Sequence, residues 1–180
     1  MAKKRRVIAG PKRFKALVNK LGELILKNHP ELERVALVGI QTGGTPLTKR
    51  LHKFFEEKTG ISLPLGFLDI TLYRDDWTNL FSQPHLKKTD IPFSVDDKII
   101  ILIDDVIFTG RTVRSALDAL IDLGRPKKIQ LAVLVDRQGR ELPIEPNYTG
   151  LKIRKIAPNE YVSVYFEEIS GVDQICLESY

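Results

Sequence analysis

Residues 98–112, Lys98-Ile99-Ile100-Ile101-Leu102-Ile103-Asp104-Asp105-Val106-Ile107-Phe108-Thr109-Gly110-Arg111-Thr112, decide the fold. The run KIIILI has no polar alternation. That pattern belongs to a strand buried on both faces of a parallel sheet. Asp104–Thr112 reads as the loop that leaves this strand. Val113–Leu123 reads as a helix, with Gly124 as its C-terminal cap and Pro126 beyond. Working outward, the same grammar repeats. Val35–Ile40 (VALVGI) is a second buried run, followed by the loop Gln41–Thr45 and a helix from Pro46 to about Lys58. Leu65–Leu72 and Ile129–Val135 read as further strands. Residues 11–28 form an amphipathic helix, with Phe14, Leu17, Val18, Leu21, Leu24 and Ile25 on one face. Shorter extended pieces fall near Leu151–Ile156 and Val162–Phe166. Strands alternating with helices predict an α/β fold with a parallel sheet and right-handed crossovers. Residues 73–97 are polar, contain Pro84 and Pro92, and read as a flap.

Ligands of such sheets sit beyond the carboxyl ends of the strands. Three loops leave those ends: Gln41–Thr45, Asp104–Thr112, and the stretch from Asp136 onward. In the second, Thr109-Gly110-Arg111-Thr112 opens a helix. Unpaired N–H groups and the positive end of the helix dipole favour an anion there. Two hydroxyls add donors, which suits a phosphate monoester. Asp104 and Asp105 would repel that phosphate. They suit sugar hydroxyls, a Mg²⁺, or positive charge developing on a sugar. An acidic pair after a strand also occurs in phosphoacceptor sites and nucleotide hydrolases. Those need a separate acceptor constellation or a Walker A loop, and no Walker A sequence is present. A phosphate cradle beside an acidic pair predicts a sugar phosphate that gains positive charge while reacting.

Composition narrows the field. The chain has 180 residues, 43% of them hydrophobic and 28% charged, enough for one domain with its own core. Cys176 is the single cysteine, so no intrachain disulfide forms. His29, His52 and His85 are too scattered for a zinc site. The longest apolar runs are far short of a membrane span, and a cytoplasmic location is expected. The net charge of +5 is uneven: residues 1–20 hold eight basic side chains and no acid. The remaining 160 residues carry 20 basic and 23 acidic groups. Residues 1–10 therefore read as a basic arm, and 11–180 as a single domain with its flap at about 73–97.

IILIDDVIFTGRTVRSALDAL resembles the phosphoribosyl pyrophosphate (PRPP) motif of type I phosphoribosyltransferases. LVGIQTGG, LDITLYRDDW, GRPKKIQLAVLVDR and GRELPI narrow the likeness. Together they resemble the pyrimidine operon attenuation regulators that are also uracil phosphoribosyltransferases, the PyrR family, over about residues 14–166. The resemblance implies the type I phosphoribosyltransferase fold: a central parallel sheet flanked by helices, with a small hood and flap. It implies transfer of the phosphoribosyl group of PRPP to uracil, giving UMP and pyrophosphate, with Mg²⁺. It also implies UMP-dependent binding to pyr leader mRNA, and a homodimer or higher assembly.

Residue by residue, the likeness places Thr109–Thr112 on the 5-phosphate, with Val106, Ile107 and Phe108 in the same loop. Asp104 and Asp105 would lie under the ribose as the catalytic pair. Thr42, Gly43 and Gly44 would face the pyrophosphate. Arg74 would close over the site. Arg137, Phe108 and Val162 would line the base. Asp136, with Asp104 and Asp105, would serve Mg²⁺ through water or PRPP. An aromatic at position 108, where purine-specific relatives carry Asp, argues for a pyrimidine.

Two departures stand out. The family's pyrophosphate loop usually reads Lys-Thr-Arg-Gly, whereas this chain has Gln41-Thr42-Gly43-Gly44. Losing a charged hydrogen bond is expected to weaken PRPP binding by about 1–3 kcal/mol. On the RNA side, Val18, Asn19 and Gly22 stand where the family has Thr, Arg and His. Glu145 ends a region the family writes HRELPIR. Arg13, Lys20, Lys27, Arg140, Arg154 and Lys155 remain as candidate RNA contacts. The alternatives are therefore a nucleotide-sensing regulator with a weak or inactive transferase site, and a transferase that has lost RNA binding.

Overall fold

The apolar runs become the centre of a five-stranded parallel sheet. A computed structural model describes residues 5–75 and 88–179. The sheet contains β2 (Val35–Ile40), β3 (Leu65–Leu68), β4 (Ile99–Ile107), β5 (Lys128–Arg137) and β6 (Tyr148–Ile153), in the order β3-β2-β4-β5-β6. Pairing is parallel throughout, with Leu37 opposite Ile101 and Ile101 opposite Gln130. Alternate residues of β4 feed two cores. Ile101 and Ile103 join Phe14, Leu17, Leu21 and Ile25 of α1 (Pro11–Asn28) and Leu47, Leu51 and Phe55 of α2 (Gly44–Thr59). Ile100 and Leu102 join Val113, Ala116, Ala119 and Leu120 of α3 (Arg111–Asp122) on the other face. Both faces are covered, which is why the strand carries no polar alternation.

A second, antiparallel sheet forms the hood: β1 (Arg5–Ala9), β8 (Gln174–Ser179) and β7 (Glu160–Tyr165), in the order β1-β8-β7. A short helix α4 (Glu167–Ser170) joins β7 to β8. Arg50 of α2 anchors the hood to the body. It donates to Glu168 at 2.8 and 2.6 Å and to Asp173 at 2.8 and 2.7 Å. Its guanidinium also lies 5.4 and 5.5 Å from the ring centres of Phe14 and Phe166. These two carboxylates hold its pKa above the ordinary arginine value.

Several boundaries differ from the sequence reading. Residues 5–9 are not an arm preceding the fold. They pair with β8, Arg5 opposite Glu178 and Val7 opposite Cys176. Residues 1–4 lie outside the described residues. The strand expected over Leu65–Leu72 stops at Leu68, and Thr71–Tyr73 is a 3₁₀ turn. Of the expected flap, 76–87 lie outside the described residues. Its distal end belongs to the body: Asp90 bridges Phe67, and Val95 is buried in the α3-side core. β4 runs through Asp104 and Asp105 to Ile107, so the acidic pair is strand rather than loop. Strands β1 and β8 went unread, since short hood strands with mixed exposure lack a clean period.

Candidate active site at the strand ends

The strand ends place the acidic pair between two helix N-termini. Asp104 is buried and Asp105 is half-buried. Asp104 Oδ1 accepts from the N–H of Asp105 at 3.0 Å. Asp105 Oδ1 accepts from the N–H of Val106 at 2.8 Å. Burial, then the neighbouring charge of Asp105, pushes Asp104 well above the usual carboxylate range. Burial raises Asp105 too, opposed by the hydrogen bonds from its neighbours. Two desolvated carboxylates held this close together favour a positive charge beside them.

Gly43 explains how close the pair comes to the loop that opens α2. A Cβ placed on Gly43 would meet Asp105 Oδ1 at 2.5 Å and Cγ at 2.6 Å. The carboxylate of Asp105 therefore fills the space that a side chain at position 43 would take. The missing arginine is not simply a lost charge; with Asp105 in this position there is no room for it. Gly43 caps α2 without a side-chain bond. Gly44 is buried behind it, and Thr42 is exposed at the loop's tip. The peptide between Gln41 and Thr42 is cis. Gln41, in place of the family's lysine, donates from Nε2 to Lys88 O at 3.0 Å.

The loop that opens α3 is built differently. Gly110 precedes α3, and Thr109 Oγ1 accepts from the N–H of Arg111 at 3.3 Å. Arg111 is exposed and clamped, Nε to Glu141 at 2.6 Å and Nη1 to Asp75 at 2.6 Å. Arg111 holds the Asp75 carboxyl below its usual value. Arg114 Nη2 and Ser115 Oγ both donate to Tyr73 O, at 3.2 and 3.0 Å. The segment Tyr73–Asp75 is thus tied to the head of α3. Arg74 lies in that segment, half-buried.

Beyond β5, Arg137 stacks on Phe108, its guanidinium 3.9 Å from the ring centre. Its Nη2 donates to Glu160 O at 3.0 Å, joining the site to hood strand β7, which also carries Val162. Arg137 Nε is buried without a hydrogen-bond partner. Leaving such a donor unpaired costs about 1–3 kcal/mol. Gly139, at φ +130°, underlies Phe108; a Cβ there would sit 2.2 Å from Phe108 Cε2.

Two candidates have partners other than those the resemblance implies. Asp136, read as a Mg²⁺ or pyrophosphate contact, is salt-bridged to Arg140 Nη2 at 2.6 Å. Arg140, read as an RNA contact, turns inward and is only 15% exposed. It donates to Ile144 O at 2.8 Å, Phe108 O at 2.7 Å and Arg137 O at 3.0 Å. Of the other RNA candidates, Lys20 donates to Gly150 O at 2.8 Å and Arg13 to Ile8 O at 3.0 Å. Lys27 is exposed near the end of α1. Arg154 and Lys155 come together with Arg6 and Lys152 in a groove of about 360 Å³ between β6 and β1, adjoining one of about 600 Å³ between β6 and residues 138–145. Lys152 was not among the expected basic contacts, although Lys152 and Arg154 alternate at the end of an edge strand. Among the described residues, no cluster of three or more His, Cys, Asp or Glu could hold a metal by itself. Nor is any described helix long and apolar enough to cross a membrane.

The phosphoribosyl transferase domain family matches residues 9–167. A bifunctional protein PyrR of Syntrophobacter fumaroxidans is 46% identical, covering 96% of this chain and 92% of its own length. Another from Thermus aquaticus is 47% identical, over 96% and 94%. In structure, a hypoxanthine-guanine phosphoribosyltransferase from Bacillus anthracis aligns with a TM-score of 0.71 at 17% identity, covering both chains fully (100% and 100%). A hypoxanthine phosphoribosyltransferase from Staphylococcus aureus aligns with a TM-score of 0.70 at 22% identity, covering 94% of this chain and 90% of its own. At those identities the structural likeness speaks for the fold, which is the type I phosphoribosyltransferase fold. By the domain match and by relatives similar along nearly the whole chain, this phosphoribosyltransferase belongs to the bifunctional PyrR family.

Proposed function

We propose that the chain transfers the phosphoribosyl group of PRPP to uracil, and that UMP then governs its binding to pyr leader mRNA. One observation carries the enzymatic half: two desolvated carboxylates, Asp104 and Asp105, stand between the phosphate loop at α3 and the open loop at α2. Thr109–Thr112 would hold the 5-phosphate through backbone N–H groups and hydroxyls. Thr42, Gly43 and Gly44 would face the pyrophosphate. In the reaction, uracil N1 bonds to C1 of the ribose as the C1–oxygen bond to pyrophosphate breaks. The N1 proton is released. Positive charge develops on the ribose, and the fixed negative charge of Asp104 and Asp105 stabilises it. Phe108 stacked on Arg137, with Val162 on the neighbouring hood strand, would bound the base.

The donor set fits Mg²⁺. Two carboxylates raised by burial need a cation, and Mg²⁺ keeps most of its shell from water and substrate phosphate rather than from a protein cage. Asp104 and Asp105 would hold it with PRPP, where it supplies charge neutralisation for the leaving pyrophosphate. Asp136 is occupied by Arg140 and supports the loop instead. For RNA, the face formed by Arg6, Lys152, Arg154 and Lys155 supplies phosphate attraction in place of the contacts replaced on α1.

The test is a PRPP-dependent transferase assay, base by base, with Mg²⁺. UMP formation from uracil well above background is expected, with purines inert. No UMP above background would establish the sensor reading instead, in which PRPP or UMP is bound without turnover.

A further inference from the structure

The loop between β5 and β6, residues 138–145, touches two places at once. On one side it lies on the phosphate loop. The N–H groups of Glu141 and Leu142 both donate to Thr109 O, at 2.9 and 3.2 Å. Arg111 Nε donates to Glu141 at 2.6 Å, and Arg140 Nη1 to Phe108 O at 2.7 Å. On the other side, Gln138, Gly139, Arg140 and Glu145 wall the 600 Å³ groove that Lys152 and Arg154 make basic. Arg140 is the piece common to both. Its guanidinium reaches the end of β5 at Asp136 and Arg137, the phosphate loop at Phe108, and its own loop at Ile144. Its donors are thereby committed indoors. Glu145 stands only 3.6 Å away, so the charge of Arg140 is further offset on the groove side.

We propose that Arg140 is a positioning residue that couples the nucleotide site to the basic groove, setting loop 138–145 against the phosphate loop so that each site favours occupation of the other. This builds on the RNA reading above. The physical route is short. A phosphate seated on Thr109–Thr112 fixes the backbone whose carbonyls, Phe108 O and Thr109 O, hold the loop. A loop already ordered costs less to order again when an RNA strand enters the groove. Coupling of this kind is reciprocal: UMP tightens RNA by the factor by which RNA tightens UMP.

The test measures affinity for a pyr leader hairpin with and without UMP, and its salt dependence, in the full chain and in Arg140→Lys. The native protein should show UMP-dependent tightening of about 5–150-fold, the usual range of such couplings. Arg140→Lys keeps the charge but not the fork, so the tightening should fall below about twofold, with affinity in the absence of UMP and the salt slope little changed. A uniform loss with and without UMP, with a shallower salt slope, would make Arg140 an RNA contact and overturn the proposal. So would undiminished tightening. Should Arg140→Lys fail to fold, Glu141→Ala removes the acceptor of the Arg111 bond and should lower the tightening in part; undiminished tightening there would likewise overturn the proposal. Amide exchange separates this proposal from the RNA reading. If the native protein binds no hairpin, that reading fails. UMP must still slow exchange at the Glu141 and Leu142 amides in the native chain and not in Arg140→Lys, or the coupling is wrong.

Discussion

Two helices begin beside the acidic pair, each at the carboxyl end of a central strand, yet they are built differently. The head of α3 is tied down. Arg111 spans Asp75 and Glu141, Tyr73 O takes bonds from Arg114 and Ser115, and loop 138–145 rests on Thr109 O. The head of α2 has glycines at 43 and 44, and Asp105 occupies the space above Gly43. A helix N-terminus alone attracts any anion. On the function proposed above, the supported head suits a phosphate that stays through the reaction, and the glycine-lined head suits one that leaves. Asp105 belongs to both, since its strand leads into the first and its carboxylate covers the second.

The largest effect should come from removing that shared charge. Asp105→Asn keeps the shape and the bond from the Val106 N–H, but not the field at the ribose. UMP formation should fall by about 100- to 1,000-fold in kcat, the range seen when one preorganised electrostatic group is lost. UMP binding, measured by titration calorimetry, should change by less than tenfold, because the charge matters most in the transition state. Equal losses in both would mean that Asp105 serves ground-state binding, and the contrast between the two heads would lose its catalytic meaning.

A smaller effect tests the glycine-lined head. In Gly43→Ala, a Cβ would lie 2.5 Å from Asp105 Oδ1 unless the carboxylate moves. Displacement of a catalytic group by even about 1 Å can cost on the order of 100-fold. Because Asp105 is a side chain and can rotate, a tenfold loss of kcat is the expected outcome, checked by steady-state kinetics with PRPP varied. Unchanged kcat with lower KM for PRPP would show instead that the loop tolerates a side chain, and that Gly43 is only a lost arginine.

The sequence reading reached much of this, and its gaps have physical causes. Buried parallel strands announce themselves as unbroken apolar runs, so Val35–Ile40 and β4 were legible, as was α1 from its periodicity. The acidic pair and TGRT were legible because their spacing from a strand and a helix carries chemistry. Of the hood only β7 was legible: β1 and β8 are short, and the eight basic side chains near the N-terminus masked the alternation of β1. The partners of Arg140 were hidden for a related reason. Counting charge along a chain cannot show direction, and this guanidinium points inward at three carbonyls and a carboxylate. The ion pair of Asp136 was hidden with it, since its partner lies four residues on. Gly43 looked like a deficit until the carboxylate above it came into view.

The smallest effect is on stability, and it distinguishes the shared acidic pair from the charges at the α3 head. Asp104 and Asp105 hold pKa values above those of the unfolded chain. Between the ordinary carboxylate range and the raised values, the folded state therefore carries more protons than the unfolded state. Stability must fall as pH rises through that window. Asp75 at the α3 head is shifted the other way and stabilises above its unfolded value, but it is exposed and adds little. The melting temperature without ligand should accordingly decline from mildly acidic pH toward neutrality. Asp104→Asn removes the buried charge and should flatten that decline. At neutral pH it should raise Tm by about 2–4 °C, the shift that about 1 kcal/mol makes in a chain of this size. PRPP with Mg²⁺ should flatten the decline in the native chain by supplying the missing positive charge. A melting curve whose pH dependence is the same in the native chain and in Asp104→Asn would mean that the pair is already neutralised. The demand for a cation, on which the Mg²⁺ assignment depends, would then vanish with it.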